Sequence, residues 1–392
     1  MTSQWPQLAH LCVMADAPTH ASLQPCSDGG QERLQDGQVI VHVAKLVVTA
    51  NTLTYAMAGK APDLKYFQHF PVPEEVPDPK RYARPPCWGT GVVVASRCPE
   101  VTAGSRIHGF FPMSPFAVLQ PARVTLGSFL DAAPHRGDLI EAYRVYKFST
   151  AAEFKGLTNE EEDWQMSAGN LFATGWSMSH TAATHPAKPT ALILTSASSR
   201  TTLAAAFAAK FHKLPLEVVG ITSASHADFV RASGFYDTVC LYEDVASLRR
   251  QLVAVLDVAG NAQVQEAIYR NFGNDIVYYG GVGMSHVQSA GQRASLKGLG
   301  GAKATSFLVF TALEAIAKIY GKKKVQDMLT EATAAYKKLM MPSFRAVRSY
   351  GPEAMLATFQ AMVRGETQPD CTNVCSMWPE HLHEPSTVAS KL

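Results

Sequence analysis

Between residues 191 and 283 the chain alternates apolar strand-like runs with short helical segments. The runs are ALILTS (191–196), LEVVGITS (216–223), DTVCLYED (237–244), VAVLDVAG (253–260) and DIVYYGGVG (275–283). TTLAAAFAAKFHK (201–213) and SHADFVRASG (225–234) read as helices between the first three, and a further helix precedes the fourth. A strand with one wet face alternates apolar and polar residues; these are apolar almost throughout, so both faces must be covered. Repeats of that kind build a parallel, doubly wound sheet, because crossovers between parallel strands keep one hand.

The chain on either side reads differently. Residues 1–36 are polar and irregular. From 37 to 116, VIVHVAKLVV (39–48), GVVVAS (91–96) and RIHGFF (106–111) are short β-type runs separated by proline- and glycine-containing turns such as EEVPDPKRYARPP (74–86). That punctuation suggests a small barrel or sandwich. LIEAYRVYKF (139–148) has helical spacing, SAGNLFATGWSMSHTAATH (167–185) reads as a helix, and the pattern is helical again from Ala304 to Lys338. A last helix (349–366) and a short strand NVCSMW (373–378) close the chain.

With 392 residues there is room for two cores. A formal net charge of +2 gives no electrostatic footprint for nucleic acid or an anionic membrane, so neither is expected as a partner. The basic runs at Lys322–Lys324 and Lys337–Lys338 read as solvated helix faces. Seven scattered cysteines suit a reducing compartment. No secretory or transit pattern opens the chain and no apolar run has membrane-spanning length, so a soluble cytoplasmic protein is expected.

The first strand–helix turn, TSASSRTT (195–202), contains no glycine. A dinucleotide turn needs backbone N–H groups and a helix N-terminus facing the pyrophosphate, and glycines normally permit the tight geometry. Over a G-x-x-G-x-x-G turn the glycine positions hold Ser196, Ser199 and Thr202. All three are small and hydroxyl-bearing. Ser198 and Thr201 add hydroxyls, and Arg200 adds a positive charge suited to an anionic ligand. At the end of the next strand, where an acid would hold the ribose 2′-OH of NAD, stand Thr222, Ser223, Ser225 and His226. The first carboxylate is Asp228. A site without that acid tolerates a 2′-phosphate, so NADP(H) is the cofactor expected. The competing reading is a Rossmann-shaped domain that has lost its cofactor.

Several stretches in order resemble the zinc-free, quinone oxidoreductase-like branch of the medium-chain dehydrogenase/reductase superfamily. VIVHVAKLVVTANTLTYAMAG (39–59) is similar to its first catalytic-domain hairpin, and WGTGVVVASRCPEVTAGSRIHGFF (88–111) to its Gly-rich strand and following turn. LVAVLDVAGN (252–261), DIVYYGGVG (275–283) and RGETQPDCTNVCSMW (364–378) resemble its fourth and fifth Rossmann strands and its returning strand. TANTLTYAMAG, FFPM, APHR and SASSRTT together are similar to a sparsely characterised subfamily known only as a domain of unknown function. The resemblance implies an α/β protein: a GroES-like β-barrel catalytic domain with a helical insert over 37–166 and a doubly wound parallel-sheet Rossmann domain over 167–311. It implies that 312–392 rejoins the barrel and that the active site lies in the cleft between the domains. The zinc positions of the superfamily are not matched, since the segment reads CWGTG (87–91), so no metal is expected.

The resemblance also implies site residues. Asn51 and Tyr55 match an Asn and Tyr that face the nicotinamide, Tyr55 as proton or hydrogen-bond donor and Asn51 as an orienting amide; their plainer roles are a turn Asn and a half-buried strand Tyr. Thr174 falls where a helix presents a hydroxyl, and Gly280, Gly281 and Gly283 permit close backbone approach at a strand end. His135 and Arg136 in APHRGDLIEAYRVY could bind a substrate carboxylate or phosphate, or belong to a surface helix. Two other patterns are weaker: Tyr320 and Lys324 as a Y-x-x-x-K pair, and Cys371, Cys375, His381 and His383 as a zinc set. The expected function is a zinc-independent, NADP(H)-dependent reductase of a quinone-like or conjugated carbonyl small molecule; the sequence leaves the assembly open, a homodimer being usual for similar proteins. The alternatives are a non-catalytic binding protein and a transferase- or lyase-like use of the cleft.

Overall fold

The computed structural model describes residues 8–26, 34–62, 64–282, 296 and 298–383. It divides into two compact units, one of residues 1–166, 346–367 and 372–392, the other of 167–345 and 368–371.

The first unit is built on Val39–Val48, a strand buried along its whole length. It pairs antiparallel with Pro86–Ser96, Phe116–Leu119 and Cys371–Ser376, so both its edges are used. The sheet continues from Pro86–Ser96 through Arg106–Pro112, Val145–Phe148, Ser128–Asp131 and Pro121–Ala122. Gly89 is required where two of these strands cross closely: a Cβ there would lie 2.3 Å from the Lys45 carbonyl oxygen. The helix Asn159–Trp164 begins at a capping box, Thr158 accepting from the Glu161 amide at 3.2 Å while Glu161 accepts from the Thr158 amide at 3.0 Å. That start aims Glu162 and Asp163 inward at Lys45.

Three expectations need correction here. The irregular segment over 1–36 contains a hairpin, Ala9–Met14 with Ala17–Pro25, whose first strand is buried from Ala9 to Val13. The polar residues that disguised it, His10 and Thr19 among them, sit on paired strands. The segment TANTLTYAM is a helix, Ala50–Met57, not part of a hairpin. The proposed helical insert is instead two short 3-10 turns, Pro134–Arg136 and Glu141–Tyr143, followed by the strand Val145–Phe148; Pro134 and Gly137 leave too little room for a longer helix.

The second unit holds six parallel strands in the order Thr238–Leu241, Glu217–Thr222, Ala191–Thr195, Val253–Asp257, Ile276–Gly281 and Thr305–Ser306. This is the doubly wound arrangement the apolar runs imply. The helix Arg200–Phe211 is buried for its first ten residues, which explains its alanines: Asn170–Ala183 packs so closely on it that a Cβ at Gly175 would lie 2.4 Å from the Thr201 carbonyl oxygen. The helices Val309–Tyr320 and Lys322–Met340, broken at Gly321 (φ 89°), also belong to this unit. The return to the first unit therefore begins at Ala346 rather than at 312. No described helix is long and apolar enough to cross a membrane.

Candidate functional site

In the parallel unit the central strand Ala191–Thr195 has Glu217–Thr222 on one side and Val253–Asp257 on the other. The strand order reverses there, and ligands of such sheets bind beyond the carboxyl ends of the strands at that point. The next residue, Ser196, has φ 55°, the left-handed backbone that a glycine would adopt freely. A side chain in that conformation costs on the order of 1–2 kcal/mol. What holds it is local: the Ser196 carbonyl accepts from the Ser199 amide (2.8 Å) and from Thr202 Oγ1 (2.8 Å). Ser199 caps the helix Arg200–Phe211, its hydroxyl accepting from the Thr202 amide at 3.2 Å. The three residues that replace the glycines thus brace one turn.

Ser198 Oγ lies 2.9 Å from His226 Nδ1, so the turn is joined to the end of the second strand. Burial lowers the pKa of His226, which keeps it neutral. Ser223 and Ser225 bond to each other at 3.0 Å beside it, while Thr222 is buried at the strand end. Asp228 points its charge to solvent, paired with Arg231 at 3.0 Å. Hydroxyls, an imidazole and a helix N-terminus without a facing carboxylate form a donor set that fits a phosphorylated ribose and pyrophosphate.

Arg200 is used differently from the expected phosphate contact. Its guanidinium is buried, donates to the Cys371 carbonyl at 2.6 Å and lies 4.0 Å above the Phe344 ring. Burial brings its pKa down to about 10, so it remains charged. The contact ties the return segment 368–371 to this unit. Thr201 is buried; Thr174 is half-buried in Asn170–Ala183, its carbonyl accepting from Ser177 Oγ at 2.8 Å. Gly281 is exposed at the end of Ile276–Gly281, and Gly283 lies outside the described residues.

Sequence reasoning missed the group next to this turn. Thr195 donates to Asp257 Oδ1 at 2.5 Å, Tyr279 donates to Oδ2 at 3.0 Å, and the Gly260 amide to Oδ1 at 3.1 Å. The available signal was a polar last residue on two runs, LILT and AVLD, that prove to be adjacent and in matching register.

In the antiparallel unit Asn51 and Tyr55 lie one turn apart on Ala50–Met57, so they share a face. Tyr55 is 2% exposed, and its oxygen accepts from Asn51 Nδ2 at 2.5 Å and Trp88 Nε1 at 2.9 Å. Both lone pairs are thus taken and its own proton is left over; the Tyr143 ring packs edge-on against it, and the Tyr143 hydroxyl lies 3.2 Å from that of Tyr66. Burial, then the neighbouring Tyr143 and Tyr66, raise the Tyr55 pKa well above its usual value, against the Trp88 bond. Tyr55 is therefore a phenol at any working pH, and a phenoxide formed there would meet two N–H donors. Trp88, Tyr66 and Tyr143 were not among the expected site residues.

His135 and Arg136 are committed within this unit. Arg136 forms a buried ion pair with Asp131, donates to the His69 carbonyl at 2.5 Å and lies 4.3 Å from the centre of the Phe70 ring. His135 Nε2 is 3.3 Å from the same carbonyl. Arg136 does find a carboxylate, but the protein's own. Among the described residues Cys371, Cys375, His381 and His383 do not gather as metal ligands. Tyr320 and Lys324 sit on different helices on either side of Gly321.

The profile of one protein family, described as protein of unknown function (DUF2855), matches residues 46–368. The chain belongs to that family. No curated protein matches it. The fold is shared with solved structures at low identity. CurA from Vibrio vulnificus in complex with NADPH is 10% identical, with a TM-score of 0.56 over 91% of this chain and 94% of CurA. A mycobacterial protein, Rv1454c, complexed with NADPH is 13% identical (TM-score 0.54, 94% of this chain and 99% of that one). Etr1p of Candida tropicalis, solved with NADP and crotonyl-CoA, is 12% identical (TM-score 0.52, 94% and 99%). The chain thus has a medium-chain reductase-like fold: an antiparallel β-rich domain and a six-stranded Rossmann sheet.

Proposed function

We propose that the protein is a zinc-independent, NADPH-dependent reductase of a conjugated carbonyl compound, an enone or enoyl thioester. The observation that carries this reading is the Ser196 turn, held at φ 55° at the switch point of the sheet and followed by hydroxyls and His226 instead of an acid. Solved proteins of similar fold that bind NADPH, and one with crotonyl-CoA, support it. When bound, NADPH supplies a hydride from its nicotinamide.

The chain's own residues would do the rest. Ser198, Ser223 and His226 would hold a 2′-phosphate, and the capped helix N-terminus the pyrophosphate. Tyr55 Oη would give its proton to the carbon next to the carbonyl, and Asn51 Nδ2 and Trp88 Nε1 would stabilise the resulting phenoxide. Tyr143, packed against Tyr55 and 3.2 Å from the Tyr66 hydroxyl, would return a proton to Tyr55.

Nicotinamide fluorescence tests the cofactor. NADPH is expected to bind more tightly than NADH, and a combined Ser198→Ala and His226→Ala variant to lose that preference. Binding of neither nucleotide refutes the proposal. It would favour the reading as a non-catalytic binding protein, which draws on the mutual hydrogen bonds of Ser196, Ser199 and Thr202. With an enone or enoyl thioester as substrate, Tyr55→Phe is expected to lower kcat about 10²–10⁴-fold, the usual worth of a positioned acid. Full turnover in that variant removes Tyr55 from the chemistry.

A further inference from the structure

The hairpin at the start of the chain places three unlike ligating groups together. Ala9 lies opposite Pro25, which sets Cys26 beside the end of the first strand, and the Leu11 amide bonds to the Met113 carbonyl at 2.9 Å, which brings Ser114 under His10. His10 is 4% exposed, and its Nδ1 is 2.8 Å from Ser114 Oγ. The ring is thereby turned so that Nε2 faces Glu75 Oε1 at 3.4 Å. A ring nitrogen of His10, the Cys26 Sγ and a Glu75 carboxylate oxygen all lie within 4.8 Å of one another.

We propose that His10, Cys26 and Glu75 form a binding site for a soft divalent transition metal, Zn2+ being the best match. A thiolate, an imidazole and a carboxylate are its three characteristic donors. Donors about 2.0–2.3 Å from a tetrahedral ion stand about 3.3–3.8 Å apart, so the His10–Glu75 pair is already at that spacing and the others need to close by at most about 1.5 Å. The Ser114 hydroxyl on the far ring nitrogen is the outer partner that orients a ligating histidine.

The local charge also suits a dication. Arg84 donates to Ser114 Oγ at 3.3 Å and to the Pro71 carbonyl at 2.6 Å, and its charge faces Cys26 and Glu75. The Glu75 carboxylate offsets that guanidinium, and the thiolate that Cys26 forms on binding would add a second negative charge to meet the dication. Cys26 and Glu75 are both partly exposed, which gives an ion a route in. Three protein ligands leave a fourth position for water. The ion would fasten the hairpin to the 74–77 loop. The site is unrelated to the superfamily's zinc positions and does not depend on the reductase reading.

The test uses the full-length protein stripped with a chelator and titrated with Co2+, followed by absorbance, then with Zn2+ as competitor. One Co2+ per chain is expected, with a near-ultraviolet thiolate-to-cobalt charge-transfer band that Zn2+ abolishes. Cys26→Ser should remove the band, and Cys371→Ser should leave it. Ser114→Ala should weaken Co2+ binding about 10–100-fold, the usual cost of losing an outer-shell partner. Glu75→Gln, a change at a partly exposed residue that the fold tolerates, should weaken it at least as much. Zn2+ should raise the melting temperature of the parent protein but not of Glu75→Gln. Absence of the band, its persistence in Cys26→Ser, or unchanged affinity in Glu75→Gln overturns the proposal.

Discussion

In the antiparallel unit Lys45 reaches Glu162 at 2.5 Å and Asp163 at 2.6 Å, Arg106 adds a two-pronged contact to Glu162, and Arg348 meets Asp163 at 2.7 Å. His108 is stacked on Phe154 3.8 Å away, and its Nε2 lies 3.5 Å from the Glu162 carboxylate. At comparable depth the parallel unit has alanine, valine and isoleucine, with Asp257 held by two hydroxyls and an amide. The contrast follows from how each sheet is covered. Parallel strands are roofed on both faces by helices that present apolar stripes, so a polar residue survives mainly at a strand end. The antiparallel sheet is closed by turns and short helices carrying charges, so a fully buried strand can keep Lys45 because carboxylates arrive from elsewhere in the chain, while His42 is stacked on Trp378 at 4.2 Å.

The two modes should respond differently to acid, and that is the largest effect expected. Burial holds His42 and His69 down to about 3 and His10 and His108 to about 4 in the antiparallel unit; in the parallel one it holds His180 to about 4 and lowers His212 and His226. The unfolded chain takes up these protons near its ordinary histidine value while the fold does not. Stability is therefore full above about pH 6.5 and falls as pH drops toward the folded values, by about 1.4 kcal/mol per pH unit for each such histidine. Burial alone would raise the Glu162 pKa, but Arg106 and Lys45 hold it near 2, so its contribution is present above the ordinary carboxylate value and is lost as pH falls toward 2. Denaturant unfolding between pH 7 and 4 should lose several kcal/mol, mostly from the antiparallel unit. A flat profile across that range would break the comparison.

Lys45→Met comes next. It strands two buried carboxylates and should cost about 3–5 kcal/mol in the antiparallel unit. A loss under about 1 kcal/mol in urea unfolding would mean that Arg106 and Arg348 suffice alone. The matching change in the parallel unit is steric: Gly175→Ala drives a methyl into the Thr201 carbonyl and should cost about 1–3 kcal/mol, read by the same titration. Smallest is Ser196→Gly, which relieves the left-handed serine and should stabilise the protein by about 1 kcal/mol. A destabilised variant would show that the Ser196 hydroxyl outweighs the backbone cost.

How much of this was legible in the chain differs between the units in the same way. Continuous apolar runs at regular spacing determine the parallel sheet, because burial on two faces leaves no other solution, and they place the Ser196 turn at its centre. A glycine-free turn could still be recognised because small hydroxyl residues stand at the spaced positions, and their bonds to one another are local. The i, i+4 spacing of Asn51 and Tyr55 is likewise present in the sequence, although the segment reads as part of a hairpin and only the structure makes it the helix Ala50–Met57. Only the tertiary structure decided that Arg200 turns inward to Cys371 and Phe344, that Arg136 is spent on Asp131, and that Trp88 and Tyr143 complete the surroundings of Tyr55. It alone brings His10, Cys26 and Glu75 together. Charges and ligands choose partners by distance in space, and no periodicity along the chain records a contact between strands that meet only after folding.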